Sequence, residues 1–422
     1  MGAVNLDNTG SGSAITLSSD GTSLLLDGTA IGGGSSLDLF VENPSSPTTP
    51  LAGGTNGVAI GSGSNAGGSG AIAIGNGSAA GDGAFCAING GGNTAYGAVG
   101  NRSIAMGEAA RAQGQDSVAI GENSLASSAD SFAIGYNTDA TATNASAFGY
   151  NAQAAGGNSV ALGNSRAGGT DSFAAAIANN TSSYGATNTG SIAFGNQNKA
   201  AGYESFVAGG YANTANNYRS SVLNGTSNTV NSNYGTILGG ENNTINSSSN
   251  YSIILCGERN EAGQQYTVAS GLRAKTSVRG QWAHSAGHFS ATGDAQSSKY
   301  VLRSDTTDAT AEVLTSTNSA GGINNQVDVP TDAAVAFHGT IVAKQSGSAN
   351  AAAWTVEGLI VNNGGTTTLT NSATTVISNT PSWGMTLSAD DTNDVLAITV
   401  TGAAATDIRW VATIHTSEVI YA

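Results

Sequence analysis

Side chains capable of chemistry are few in this sequence, and they are scattered. The stretch WAHSAGHF carries His284 and His288. On a helix, such an i, i+4 histidine pair can hold a divalent metal. Here the pair falls at the end of a repeat with Gly287 beside it, which suits a cap or a neck; three chains around an axis would instead make a weak axial ion site. The stretch SADDTNDVL gathers Asp390, Asp391, Asn393 and Asp394, with Trp383 a few residues upstream. It lacks the spacing, glycine and glutamate of a calcium loop, so it reads as a solvated hairpin loop that can contact an ion or a sugar. These five residues are the candidate ligand contacts, with Trp383 better suited to a core than to a surface site.

Paired carboxylates of the kind that cleave glycosidic bonds would have to come from Asp116, Glu122, Asp130, Asp139, Asp171, Glu204 and Glu241 in the repeat. These fall mainly in turns and never recur as a pair. No nucleophile elbow, phosphate loop or zinc spacing is present, and GxG strings such as Gly61-Ser62-Gly63 belong to turns. The expectation is a protein that is not an enzyme and uses no cofactor and no metal. The cysteines, Cys86 and Cys256, lie about a dozen coils apart, far beyond the ~7 Å that a bridge allows. Two free, buried thiols are expected.

The elements that would carry these residues follow from a repeat. SIAMG, SVAIG, SFAIG and SVALG begin at Ser103, Ser117, Ser131 and Ser159, and the motif glycines recur at intervals of 14 or its multiples over most of Gly61–Gly209. Five residues after a motif glycine comes alanine: Ala66, Ala80, Ala112, Ala126, Ala140, Ala154, Ala200. Fourteen residues fit one flattened coil of two short strands and two turns, and only a stack of such coils satisfies its backbone. In SVAIG, Val118 and Ile120 point one way and Ala119 the other. The large pair is expected to fill the coil, and the small residue to form a close-packed face between chains. Self-association follows, because one thin column is marginal against backbone entropy. Asn-rich turns at Asn213–Asn216, Asn228–Asn231, Asn243–Asn246 and Asn260 are expected to stack as ladders. The sequon Asn180-Thr181-Ser182 is a by-product of composition.

Of 422 residues, 60 are glycine and only 10% are charged, with a net charge of −15. The basic residues form no cluster, so nucleic acid is excluded as a partner. No apolar stretch is long enough to span a membrane, and the start lacks a signal-peptide pattern, which implies synthesis in a cytoplasm without membrane insertion. Four zones are expected: an N-terminal attachment segment (1–42), a Pro-rich linker (43–56), a repeat shaft (57–290) and a C-terminal domain (291–422). In the last zone alternation puts Val335, Phe337 and Ile341, then Leu396, Ile398 and Val400, then Ile408, Trp410, Ala412 and Ile414 on single faces, as in an antiparallel β-sandwich.

The 14-residue S-V-A-I-G-x-x-S-x-A unit resembles the head repeat of trimeric autotransporter adhesins. That resemblance implies a homotrimeric, left-handed parallel β-roll, or solenoid, of 14-residue coils. The C-terminal stretches FSATGDAQSSKYVLRSDTTDATAEVL and PSWGMTLSADDTNDVLAITVTG are similar to the terminal module of tailed-bacteriophage fibre and tail-spike-like proteins, and the opening VNLDNTGSGSAITL to segments of phage structural proteins. Together they imply a virion tail fibre. Residues 1–42 would meet tail, baseplate or capsid proteins, and the C-terminal domain would meet a host-surface glycan or protein. A capsid fibre, an architectural rod, a bacterial surface adhesin fragment and a glycan depolymerase remain as alternatives.

Overall fold

The computed structural model describes residues 48–89, 96–175, 183–380 and 383–421, together with the backbone of five short strands between residues 4 and 39. The expected attachment segment therefore lies largely outside the described residues, as do 43–47 of the linker and the sequon Asn180-Thr181-Ser182. The chain divides into two compact units, Met1–Asp171 and Ser172–Ala422. Both are built from β-strands, and no helix occurs among the described residues.

After a small antiparallel sheet of the strands Val4–Leu6, Ile15–Ser19, Leu24–Leu26 and Thr29–Ala30, the first unit is a parallel β-solenoid from Leu51 onward. Each coil contributes a motif strand and a two-residue strand, and each pairs with its counterpart one coil on. Ile104 lies beside Val118, Val118 beside Phe132, Phe132 beside Ser146, and Ser146 beside Val160. The motif serine closes the turn before it: Ser103 Oγ, Ser117 Oγ and Ser131 Oγ each donate to the carbonyl three residues back at 2.6 Å. Two residues before the strand the backbone turns left-handed, and Asp116, Asp130, Asn144 and Asn158, types that tolerate this backbone, stand there. Gly135 is required twice over. Its φ is +136°, and a Cβ would lie 1.9 Å from the Gly149 carbonyl oxygen in the next coil.

The side-chain orientation reverses the expected one. Ala105, Ala119, Ala133, Ala147 and Ala161 form one fully buried column, and Ala112, Ala126, Ala140, Ala154 and Ala167 form the other. The large residues point outward: Val58, Ile72, Ile74, Met106, Phe132, Phe148 and Leu162 remain 36–39% exposed. A 14-residue coil closes so tightly that its two strands leave room between them for methyl groups alone.

The second unit contains solenoid coils from Phe173 to Ser285. Several of these lengthen to 15 residues, as in the pairing of Phe206, Ser221 and Thr236. The buried columns enlarge with them: Val222 and Ile237 replace alanine on one strand, and Val230 and Ile245 on the other. The asparagine ladder is present. Asn228, Asn243 and Asn260 each donate through Nδ2 to the Oδ1 of the asparagine one coil earlier, at 2.9–3.0 Å. Each also donates to a glycine carbonyl of the next coil at 2.7–2.8 Å. These side chains are buried and hydrogen-bonded on both sides, as buried amides must be.

Both cysteines are free. Cys86 is buried as expected, but Cys256 is exposed. The strand Ile253–Glu258 carries one extra residue between Ile254 and Gly257 relative to its neighbour, and this bulge turns Cys256 outward.

The chain then turns antiparallel. Trp282–Ser285 pairs with Ala295–Thr306, which pairs with Ile408–Ile420, followed by Ala333–Gln345, Ala351–Asn363 and Thr366–Thr380. A second sheet forms around Val395–Thr401 from Ala311–Val313, Val327–Asp328 and Gly384–Asp390. Their shared core holds Leu302, Phe337, Ile341, Trp354, Trp383, Ile398 and Trp410. This is the expected β-sandwich, and the three faces read from alternation are its buried faces.

Candidate functional site

The sequence-chosen residues do not converge. His284 lies in the strand Trp282–Ser285 with Nδ1 3.0 Å from Ser270 Oγ, and His288 is exposed beyond the strand. The segment is extended, so the helical i, i+4 pair does not form. Among the described residues no group of three or more His, Cys, Asp or Glu could hold a metal ion. Trp383 is 4% exposed, and its ring packs 5.7 Å from that of Trp410. It is a core residue rather than a surface contact.

The carboxylates of the acidic loop are already engaged within the fold. Asp390 accepts from Thr392 N at 3.0 Å and from Asn393 Nδ2 at 2.7 Å, and these bonds, the Asn393 side chain foremost, hold its carboxyl below its usual range. Asp391 accepts from Thr367 N, and Asp394 from Thr367 Oγ1. The two aspartates thus pin the loop to the strand Thr366–Thr380.

A different group of residues makes a cleft. Lys275 from the last coil, Gln296 and Tyr300 from Ala295–Thr306, Asp328 from the small sheet, and Glu418 from Ile408–Ile420 line a cavity of about 220 Å³. Tyr300 Oη donates to Glu418 Oε1 at 3.3 Å, and Gln296 Nε2 donates to Glu418 Oε2 at 2.8 Å. Gln281 Nε2 supports Tyr300 Oη at 3.1 Å. Burial pushes Asp328 up to about 6; a hydrogen bond from Ser277 opposes the rise, and the nearby Glu418 charge adds to it. Burial, reinforced by Glu418, also lifts Tyr300 well above the usual phenol range. An acid titrating near neutrality beside a second carboxylate can hold and pass a proton. The sequence reading missed this pair because its members stand ninety positions apart. The one local sign is a carboxylate between two buried valines in QVDVP.

Carboxylates in the solenoid turns do other work. Arg102 pairs with Asp116, and Arg219 with Glu204, each at 2.5 Å and largely exposed. Such pairs contribute little to stability.

A family model for the YadA head domain repeat matches residues 52–78, 98–121, 112–138, 140–165 and 186–212. No curated protein matches the sequence. Among solved structures, the chain is similar to a tailspike protein of Acinetobacter baumannii bacteriophage Fri1, a capsular polysaccharide depolymerase, with 10% identity, a TM-score of 0.21, and coverage of 86% of this chain and 69% of that one. It is also similar to the tailspike protein of Acinetobacter phage vB_ApiP_P1, with 10% identity, a TM-score of 0.21, and coverage of 91% and 81%. At that TM-score neither likeness locates a site in this chain. The expectation that the chain is not an enzyme is corrected by the capsular polysaccharide depolymerase among these neighbours; in this chain Asp328 and Glu418 line one cleft.

Proposed function

We propose that this chain is a virion attachment fibre, a homotrimer whose repeat region (57–290) is the shaft. Residues 1–42 would join it to tail, baseplate or capsid proteins, and the C-terminal domain (291–422) would meet a host-surface glycan or protein. The observation that carries the reading is the outward column of large apolar side chains. Val58, Ile72 and Phe85 adjoin in successive coils, as do Ile104, Val118 and Phe132, and single-chain folding leaves Val58, Ile72 and Phe132 exposed and Phe85, Ile104 and Val118 half-buried. A contiguous exposed apolar stripe marks an interaction surface. Covering each side chain against a sister chain contributes roughly 1 kcal/mol, gained again at every coil. Three tips carried together turn weak host contacts into avidity.

The purified full chain, added in excess, should occupy host-cell receptors and reduce particle attachment. Undiminished attachment would remove the reading.

A second reading, that the chain also cleaves the glycan it meets, is favoured by the carboxylate cleft. Release of reducing ends from host-surface polysaccharide, lost in Glu418→Gln, would support it; intact polysaccharide would refute it.

A further inference from the structure

Five tyrosines in successive coils of the second unit stand one above another: Tyr203, Tyr218, Tyr234, Tyr251 and Tyr266. Consecutive ring centroids are 5.5, 5.3, 4.7 and 5.2 Å apart. Tyr203 and Tyr218 stack, as do Tyr234, Tyr251 and Tyr266, and one edge-on contact at 78° joins the two stacks. The break has a local cause. Tyr203 and Tyr218 precede the left-handed residue of their turn, whereas Tyr234, Tyr251 and Tyr266 are themselves that residue, with φ of 57°, 62° and 59°.

A bulky aromatic is an unfavourable choice there. The first unit places Asp116, Asp130, Asn144 and Asn158 at the same point of the coil. Three tyrosines in succession against that preference are strain of the kind held at functional positions. Three of the rings stay open to solvent, Tyr203, Tyr251 and Tyr266 being 43–51% exposed, while Tyr218 and Tyr234 are half-buried between them.

The surroundings define the chemistry. The Arg219 guanidinium lies 4.8 Å from the Tyr218 ring and is neutralised by Glu204, and that of Arg279 closes the end of the ladder 4.5 Å from the Tyr266 ring. Amides flank the rings: Asn217, Asn233, Asn250 and Gln265. The surface is thus a row of phenol edges and hydroxyls at the coil interval, rich in hydrogen-bonding groups and poor in net charge. An occupant must repeat at that interval and offer hydroxyls. We propose that the ladder binds an extended glycan chain lengthwise, because sugar rings in an equatorially linked polymer recur at nearly the spacing of stacked coils and present hydroxyls along their edges to such a row of phenol hydroxyls and amides. A second copy of the chain is the poorer fit, since the apolar stripe lies on the motif strands and not on this turn. The inference requires neither the particle nor the trimer.

The test titrates the full chain with size-graded β-1,4-linked glucose and N-acetylglucosamine oligosaccharides. Affinity should rise about tenfold from the dimer to the pentamer, as successive sugars reach successive tyrosines. Tyr234→Asn with Tyr251→Asn, which installs the residue the first unit uses at this turn, should lower pentamer affinity about tenfold with the melting temperature and oligomeric mass unchanged. Absence of binding to both series, affinity independent of length, or full affinity in the double variant would overturn the proposal. So would a change of oligomeric mass in that variant, which would make the ladder a contact between chains.

Discussion

The solenoid coils of the first unit and the sandwich of the second bury their apolar residues by opposite means. In the first unit every interior position between Ala105 and Ala167 on the two strands is alanine, and the larger side chains stand outside. In the sandwich Trp354, Trp383 and Trp410 fill the space between two sheets, with Trp410 fully buried and its Nε1 donating to Thr306 Oγ1 at 3.0 Å. Between these extremes the 15-residue coils admit Val222, Val230, Ile237 and Ile245. The width of the backbone frame, rather than residue hydrophobicity, decides which side chain goes inside. A frame too narrow for a large core leaves its apolar residues to be covered by something else.

The contrast can be broken by substitution. Removing the sandwich's central ring with Trp410→Ala should cost about 3–5 kcal/mol, read as loss of the domain's cooperative transition in denaturant. Ile237→Ala should cost about 2–5 kcal/mol by leaving a cavity in a widened coil. Ala119→Leu, at the equivalent inward position of a narrow coil, should also destabilise, by about 1–3 kcal/mol through overpacking. If Ala119→Leu were neutral, the narrow-frame account would fail; if Ile237→Ala were neutral, the widened coils would not be packed as described.

A smaller effect concerns the cleft. Asp328 has a folded-state pKa of about 6, above its ordinary 3.8, so the folded state holds the proton more tightly than the unfolded one. Its contribution disfavours folding above pH 6, and stability should rise as pH falls from about 6 towards 4. Asp328→Asn should flatten that dependence and stabilise the domain near pH 8, by at most about 3 kcal/mol. An unchanged pH profile in the variant would mean that Asp328 is not held in the protonation state described.

Much of the fold was legible in the sequence, and the failures have definite causes. The 14-residue period fixed the coils because glycine, serine and the left-handed Asn or Asp each answer a separate backbone need at Gly121, Ser117 and Asp116. Alternation distinguished two faces of SVAIG but not which was inside, since that depends on the distance to the opposite strand. The Asn-rich turns announced the ladder through Asn213, Asn228 and Asn243. The exposure of Cys256 was hidden in a one-residue bulge that leaves no mark on composition. Trp383 drew attention as an aromatic beside an acidic loop, yet its neighbours in space are Trp410 and the sandwich core. The cleft was the least legible feature, because Asp328 and Glu418 meet only once both sheets have formed.

The outward apolar column is the point on which the functional reading turns, and solution mass tests it most directly. Light scattering of the purified chain at micromolar concentration should give about three times 41.4 kDa. Replacing Ile72, Met106, Phe132 and Leu162 together by serine should shift the species towards the single-chain mass while the β-sheet spectrum persists. A folded species of 41.4 kDa in the unsubstituted protein would contradict the account.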